Sequence, residues 1–242
     1  DPELRQILRM MGPGTLGVAA VNINVLVNTY LAAAQEGAVS WLGYAFRLMY
    51  LPIGLFGVSI ATAALPDLSR HAHDGDAIAI RRGVSSALRL MLMLNVPAMI
   101  GLIVLAEPIV ALLYERGKFT YADTLATASA LRFYAPGLIG YSVVKIASPT
   151  FYSLGTSRTP VMVSVASVIL NLVLNILLFQ VMGFKGLALG TAVAAIFNAG
   201  TLLWLLRRRL GGLGGRRVTI AFVKITAAAL VMGIVAALAA AR

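Results

Sequence analysis

The side chains best placed to do chemistry in this chain are charged or amide groups that stand inside apolar runs. Arg47 lies about seven residues into a run that opens after Ser40, roughly 10 Å deep at 1.5 Å per helical residue. A guanidinium at that depth is expensive unless it faces a cavity, a partner or an anion, and it offers an anion paired donors. The bland alternative is an arginine snorkelling to the headgroups. Tyr44 stands one helical turn earlier. It borders the same cavity, or it belongs to an interfacial aromatic belt with Trp41, Tyr50, Tyr114, Tyr121 and Tyr134. Lys145, in VVKIASP, is in the middle of another run, where an ammonium must point at a cavity, a carbonyl or an anion. Pro149 cannot donate back to the carbonyl of residue 145, so that acceptor is open.

Amides form a second constellation. Asn24 and Asn28 share a helix face at i, i+4 spacing, as do Asn171 and Asn175, and Thr191 and Asn198 lie on the next apolar run. Amide and hydroxyl oxygens are hard ligands, so Asn28, Asn171, Asn175 and Thr191 are a candidate cation site. The competing account is hydrogen bonding between helices, the usual work of buried asparagine in membrane bundles.

Other chemistry is poorly provided for. The chain has no cysteine, which excludes thiolate catalysis and cysteine-ligated metal. His71 and His73, near Asp67, Asp74 and Asp76, match no standard metal spacing and read as a solvated loop, so no metal site is expected. No Ser-His-Asp set or carboxylate pair falls on one side, so no catalytic residue is assigned and the chain does not read as an enzyme. The Gly-rich stretch Leu210–Gly215 lacks a phosphate-cradling pattern and reads as a linker. No cofactor is expected. With no acid in the middle of any apolar run, a carboxylate proton relay is unsupported, and the drivers left open are a coupling ion or the membrane potential.

The elements that position these groups follow from hydropathy. Of 242 residues, 60% are hydrophobic and only 12% charged, and the mean hydropathy is +0.88. A soluble domain is about half apolar and a quarter charged. A spanning helix needs about 20 apolar residues. Seven segments qualify: Met11–Ala33, Trp41–Leu65, Val84–Ala106, Leu131–Phe151, Pro160–Met182, Leu187–Leu206 and Val218–Ala241. Polar connections are expected at Pro66–Gly83 and Glu107–Thr127, the latter holding a short amphipathic stretch, Ile109–Tyr114. Alternation at period two is absent, which argues against a barrel.

The 20 basic residues against 9 acidic ones give a net charge of +11, and their placement reads as topology rather than nucleic-acid binding. With the N-terminus cytoplasmic, Arg5, Arg9, Arg70, Arg81, Arg82, Arg158, Arg207–Arg209, Arg216 and Arg217 fall inside. Arg116, Lys118, Lys185 and Arg242 fall outside, which places the C-terminus on the outer side. Arg89 reads as an inner-interface anchor, and Arg132 and Lys224 as snorkelling groups near segment ends. No signal peptide is visible in the polar start, which reads as a piece of something longer.

Four ordered stretches carry a resemblance: LPIGLFGVSIATAALPDLSRHA at Leu51–Ala72, VSWLGYAFRLM at Val39–Met49, RGKFTYAD at Arg116–Asp123 and VVKIASPTFYSLGTSRTP at Val143–Pro160. Together they resemble the MurJ (MviN) family of lipid II flippases, within the multidrug/oligosaccharidyl-lipid/polysaccharide exporter superfamily. The resemblance implies an all-α integral membrane protein of two lobes around a central cavity. It would move the undecaprenyl-pyrophosphate-linked peptidoglycan precursor between leaflets of the bacterial inner membrane. This chain is similar to the second lobe, residues 1–206 with about six spanning helices, a basic Gly-rich cytoplasmic loop at 207–217, and one additional helix at 218–242. The implied partners are the lipid-linked precursor, membrane lipids and the missing first lobe, with no nucleic acid. Arg47 matches the family's cavity arginine after Tyr44-Ala45, although Phe46 and Tyr50 stand where many relatives carry polar or acidic groups. The amides match positions around a sodium site in some relatives, where a carboxylate assists. Here only amides appear, which implies a weak site or none.

Three other readings remain open. An exporter of other lipid-linked oligosaccharides or drugs would share the superfamily fold. A non-transporting interaction lobe would need a partner. A retinal protein built on Lys224 lacks an intramembrane counter-ion.

Overall fold

A computed structural model of the chain describes residues 22–240. The first part of the apolar segment Met11–Ala33, residues 11–21, lies outside the described residues, and the rest is seen as helix α1 (22–33). There follow α2 (Ala38–Pro52), a π turn (Ile53–Val58), α3 (Ser59–His73), α4 (Ala77–Val104), α5 (Ala106–Tyr114), α6 (Tyr121–Tyr134), α7 (Gly137–Ser153), α8 (Arg158–Met182), α9 (Phe184–Arg209) and α10 (Gly215–Ala240). The expected all-α architecture is what forms. Among the described residues, five helices are long and apolar enough to cross a membrane: the continuous Ala38–His73, α4, α8, α9 and α10.

Three boundaries differ from the hydropathy reading. Pro66–Gly83 is not an extended loop. Helix α3 runs through Pro66 to His73, and α4 starts at Ala77 after a turn of three residues. Asp76 makes that turn sharp, accepting from the N–H groups of Ile78 and Ala79 at 3.0 and 2.9 Å. Second, the α2–α3 helix is one 36-residue rod with a π turn after Pro52. The hydroxyls of Ser59 and Thr62 donate to the carbonyls of Leu55 and Val58 at 2.6 and 2.8 Å, giving carbonyls of the irregular turn side-chain partners. Third, Leu131–Phe151 is not one helix. It is split at Ala135-Pro136, and α6 begins ten residues earlier at Tyr121, where Thr120 and Asp123 form a capping box. Helices α6 and α7 lie end to end along α9.

Close approach of backbones holds the bundle. In lipid, helices gain little by hiding apolar surface from each other, so van der Waals packing at small residues must do the work. A Cβ at Gly140 of α7 would sit 2.5 Å from the Ala195 carbonyl carbon of α9, and one at Gly137 would sit 3.0 Å from Ala192 Cα. Gly186 meets the Leu178 carbonyl in the same way, which lets α8 and α9 pack tightly across a hairpin closed by Gly183 at φ 58°. One apolar cluster gathers Met49, Ile53, Leu131, Leu138 and Leu187; another, toward the opposite end, gathers Val84, Met91, Ile146, Phe151, Leu202 and Leu206. Helix α10 packs along α4, with Gly233 against Ile100 and Val104.

Candidate functional site

Arg47 lies nine residues after the start of α2 at Ala38, about 14 Å along the helix. Its side chain is exposed at the bundle surface and, among the described residues, forms no ion pair or hydrogen bond. Its guanidinium carbon is 5.9 Å from the centre of the Tyr44 ring, at the outer limit of a cation–π contact. Tyr44 in turn packs on Tyr114 with centroids 4.6 Å apart and meets Phe119 edge-on at 5.5 Å. Tyr44 and Arg47 thus stand on one face of α2.

Lys145 is half-buried on α7 and makes no ion pair or hydrogen bond among the described residues. It follows Tyr141 by one turn, and Tyr141 meets Phe46, the neighbour of Arg47, edge-on at 6.1 Å. The structure thus places Lys145 in the helix beside the Arg47 region without joining the two cations. The remaining bases of the apolar runs are placed variously: Arg132 is in the last turn of α6, while Arg89 stands 12 residues into α4 and Lys224 9 residues into α10. Arg132 lies 3.9 Å from Glu107, Arg89 donates to the Ser85 carbonyl and the Ser86 hydroxyl, and Lys224 is exposed.

The amide constellation converges. Asn175 donates to the side-chain oxygens of Asn28 at 2.5 Å and Asn171 at 3.1 Å. Asn171 donates to Asn175 and to the Thr191 hydroxyl, both at 3.4 Å, and Thr191 donates to the Leu187 carbonyl at 2.8 Å. Residues of α1, α8 and α9 thereby meet, with Asn171 and Asn175 buried. Every side-chain amide oxygen of the trio already accepts an N–H. A cation would have to displace those donors, and among the described residues no carboxylate bonds to the cluster to repay it. Asn24 and Asn198 each keep a buried amide oxygen without a partner among the described residues.

Several contacts between elements had little or no sequence signal. Asp123 accepts from the Trp41 indole N–H at 2.8 Å, joining α6 to α2. Donation from the Thr120 hydroxyl, then its backbone N–H, then Trp41 holds the Asp123 carboxyl below the usual carboxylate range. Tyr121 donates to Glu107, which pushes its phenol up. The Thr120-x-x-Asp123 spacing was the available clue to this end. At the other end Arg81 donates to the Leu210 carbonyl at 2.5 Å, and Arg209 donates to Thr156 and to the Leu154 carbonyl. These tie the α9–α10 and α7–α8 connections down, and backbone acceptors leave no trace in a sequence. A recess of about 850 Å³ also opens between α3 and α4, rimmed by Asp67, His71, Asp76 and Arg82. His71 is in the last turn of α3, not in a loop.

Comparison with known proteins agrees with this architecture. A profile of the family described as "Lipid II flippase MurJ" matches residues 1–242. A "Probable lipid II flippase MurJ" of Rickettsia prowazekii (strain Madrid E) is 36% identical over 202 residues, covering 84% of this chain and 40% of that protein. A solved "Lipid II flippase MurJ, inward closed conformation" superposes with TM-score 0.80 at 28% identity, over 97% of this chain and 48% of the other. An inward-facing MATE family transporter of the MOP superfamily, at TM-score 0.75 and 16% identity, shares the fold. The chain spans less than half the length of these relatives. With its helices, its tight glycine packing and its profile match along the whole length, the chain belongs to the lipid II flippase MurJ family.

Proposed function

We propose that this chain is the second lobe, with one following helix, of a flippase that carries the undecaprenyl-pyrophosphate-linked peptidoglycan precursor from the inner to the outer leaflet. It is a transporter piece of the bacterial inner membrane, not an enzyme. The start of the chain is cytoplasmic and its end periplasmic. The observation that carries this reading is Arg47: a guanidinium some 14 Å along a spanning helix, exposed, and without a carboxylate among the described residues. Such a cation needs an anion, and a pyrophosphate suits the paired donors of a guanidinium. Tyr44 orients it, and Lys145 adds a second cation toward the same region. The first lobe supplies the opposite wall, the polyprenyl tail stays in lipid, and rocking of the lobes alternates access.

In the full-length protein, Arg47→Ala should fail to rescue growth of a flippase-depleted strain, with the lipid-linked precursor accumulating; Arg47→Lys should rescue in part. Full rescue by Arg47→Ala at normal expression overturns the role of Arg47. Absence of precursor accumulation on depletion overturns the substrate.

Asn28, Asn171, Asn175 and Thr191 form at most a weak alkali-cation site, since each amide oxygen already accepts an N–H, and a coupling ion there is one driver left open. The membrane potential acting on Arg47 and Lys145 is the other driver.

A further inference from the structure

At the N-terminal end of α2, a recess of about 550 Å³ lies between α2 and the loop joining α5 to α6. That is within the range of small-molecule sites, about 300–1,000 Å³. Its wall carries Trp41, Tyr44, Tyr114 and Phe119, and Arg116 and Lys118 stand on its lip. The rings are held rather than free. Tyr44 packs on Tyr114 and Phe119 at 4.6 and 5.5 Å. Trp41 is pinned by its bond to Asp123 and by Phe184, whose ring centre is 5.2 Å away. Asp123 also lines the recess, but its oxygens already accept from Trp41, the Thr120 hydroxyl and the Thr120 N–H. The two cations are exposed and, among the described residues, have no ion pair and no side-chain hydrogen bond.

An interfacial belt turns its rings toward lipid. These rings pack on one another and line a recess with two cations that are unpaired among the described residues. Aromatic faces are electron-rich and attract polarised C–H and cationic groups, while arginine and lysine take phosphate. We propose that the recess binds a phosphorylated sugar, with the sugar's C–H face on the Tyr44–Tyr114–Phe119 shelf and the phosphate between Arg116 and Lys118. The inference rests on the flippase reading and deepens it. Tyr44 touches both the recess and Arg47, so a headgroup released by Arg47 meets this shelf next.

The test uses the full-length protein in nanodiscs of zwitterionic lipid, titrated with N-acetylglucosamine 1-phosphate and followed by ligand-observed NMR. Binding should weaken about tenfold or more in Arg116→Ala/Lys118→Ala, as expected for lost charge-assisted contacts. It should weaken similarly in Tyr114→Leu and stay unchanged in Arg82→Ala at the opposite end. No binding by the wild type, or equal affinity in the double variant, overturns the proposal. So does inorganic phosphate binding as tightly as the sugar phosphate, which leaves the shelf idle. Binding seen only as association with phosphatidylglycerol vesicles overturns it in favour of a lipid headgroup. If Arg47→Ala abolishes rescue while the double variant keeps wild-type affinity, the recess falls and the flippase reading stands. If the double variant loses affinity while Arg47→Ala rescues fully, the recess stands and the role of Arg47 falls.

Discussion

Asn175 donates its amide to Asn28, 147 positions earlier in the chain, at 2.5 Å, and this bond fastens α1 to α8. The same amide reaches Asn171, whose own amide reaches Thr191 on α9. In a bundle without a hydrophobic drive between helices, such a junction fixes which faces meet. Asn175→Ala removes these two bonds and the one that Asn175 accepts from Asn171, and it strands the buried Asn171 side chain and the part-buried Asn28 oxygen. The expected cost is about 1–2 kcal/mol. Thermal unfolding in detergent checks it, and an unchanged transition would show that the junction is idle.

The same junction predicts the effect of adding a charge. The present ligand set is all neutral, so exchanging sodium for choline should shift the melting temperature of the wild type little. Asn175→Asp supplies the carboxylate that a cation needs and removes the N–H that competes for Asn28. The variant should be less stable in choline and regain stability in sodium. A variant indifferent to sodium would mean that Asn28, Asn171 and Thr191 do not share a cation-sized space.

Gly140 offers a test of the packing argument. Any Cβ there meets the backbone of Ala195 at 2.5 Å, and a backbone cannot rotate away as a side chain can. Gly140→Val should therefore separate α7 from α9 and cost at least about 1–3 kcal/mol. Gly200, whose Cβ would meet nothing within 4 Å, is the control and should accept alanine. Equal stability of the two variants would remove close approach as the cause.

How much of this could be read in advance depends on what carried the signal. Tyr44 and Arg47 share a face because three residues make nearly one turn, so their contact was legible. The Asn171–Asn175 pair was legible for the same reason, but its meeting with Asn28 joins distant segments and came only through resemblance. The stretch from Pro66 to His73 looked like a loop because Asp67, Arg70, His71 and His73 are polar. Hydropathy reports the solvent around a side chain, not the backbone, and this is a helix leaving the apolar zone. The break at Ala135-Pro136 had a local signal in Pro136-Gly137, but hydropathy ran Leu131–Phe151 together across it and left the polar first half of α6 in a connection. The Arg81 clasp on Leu210 was illegible, since its acceptor is a carbonyl that every residue carries.

Asp123 ties the cap of α6 to Trp41, and this gives the pH dependence a sign. Its carboxyl is held below the ordinary aspartate value by donors from Thr120 and Trp41 that favour the charged form. A depressed folded-state pKa stabilises the fold above the unfolded-state value, about 3.9, and that stabilisation is lost as pH falls through the folded value. Asp123→Asn keeps one acceptor but cannot ionise, so it lacks this term at every pH. The wild type should therefore melt above Asp123→Asn at pH 6, and the gap should close toward pH 3. Melting curves of both proteins across that range check it. A gap that stays constant into acid would mean that the charge on Asp123 is immaterial, and that Trp41 is held in the recess by packing against Phe184 alone.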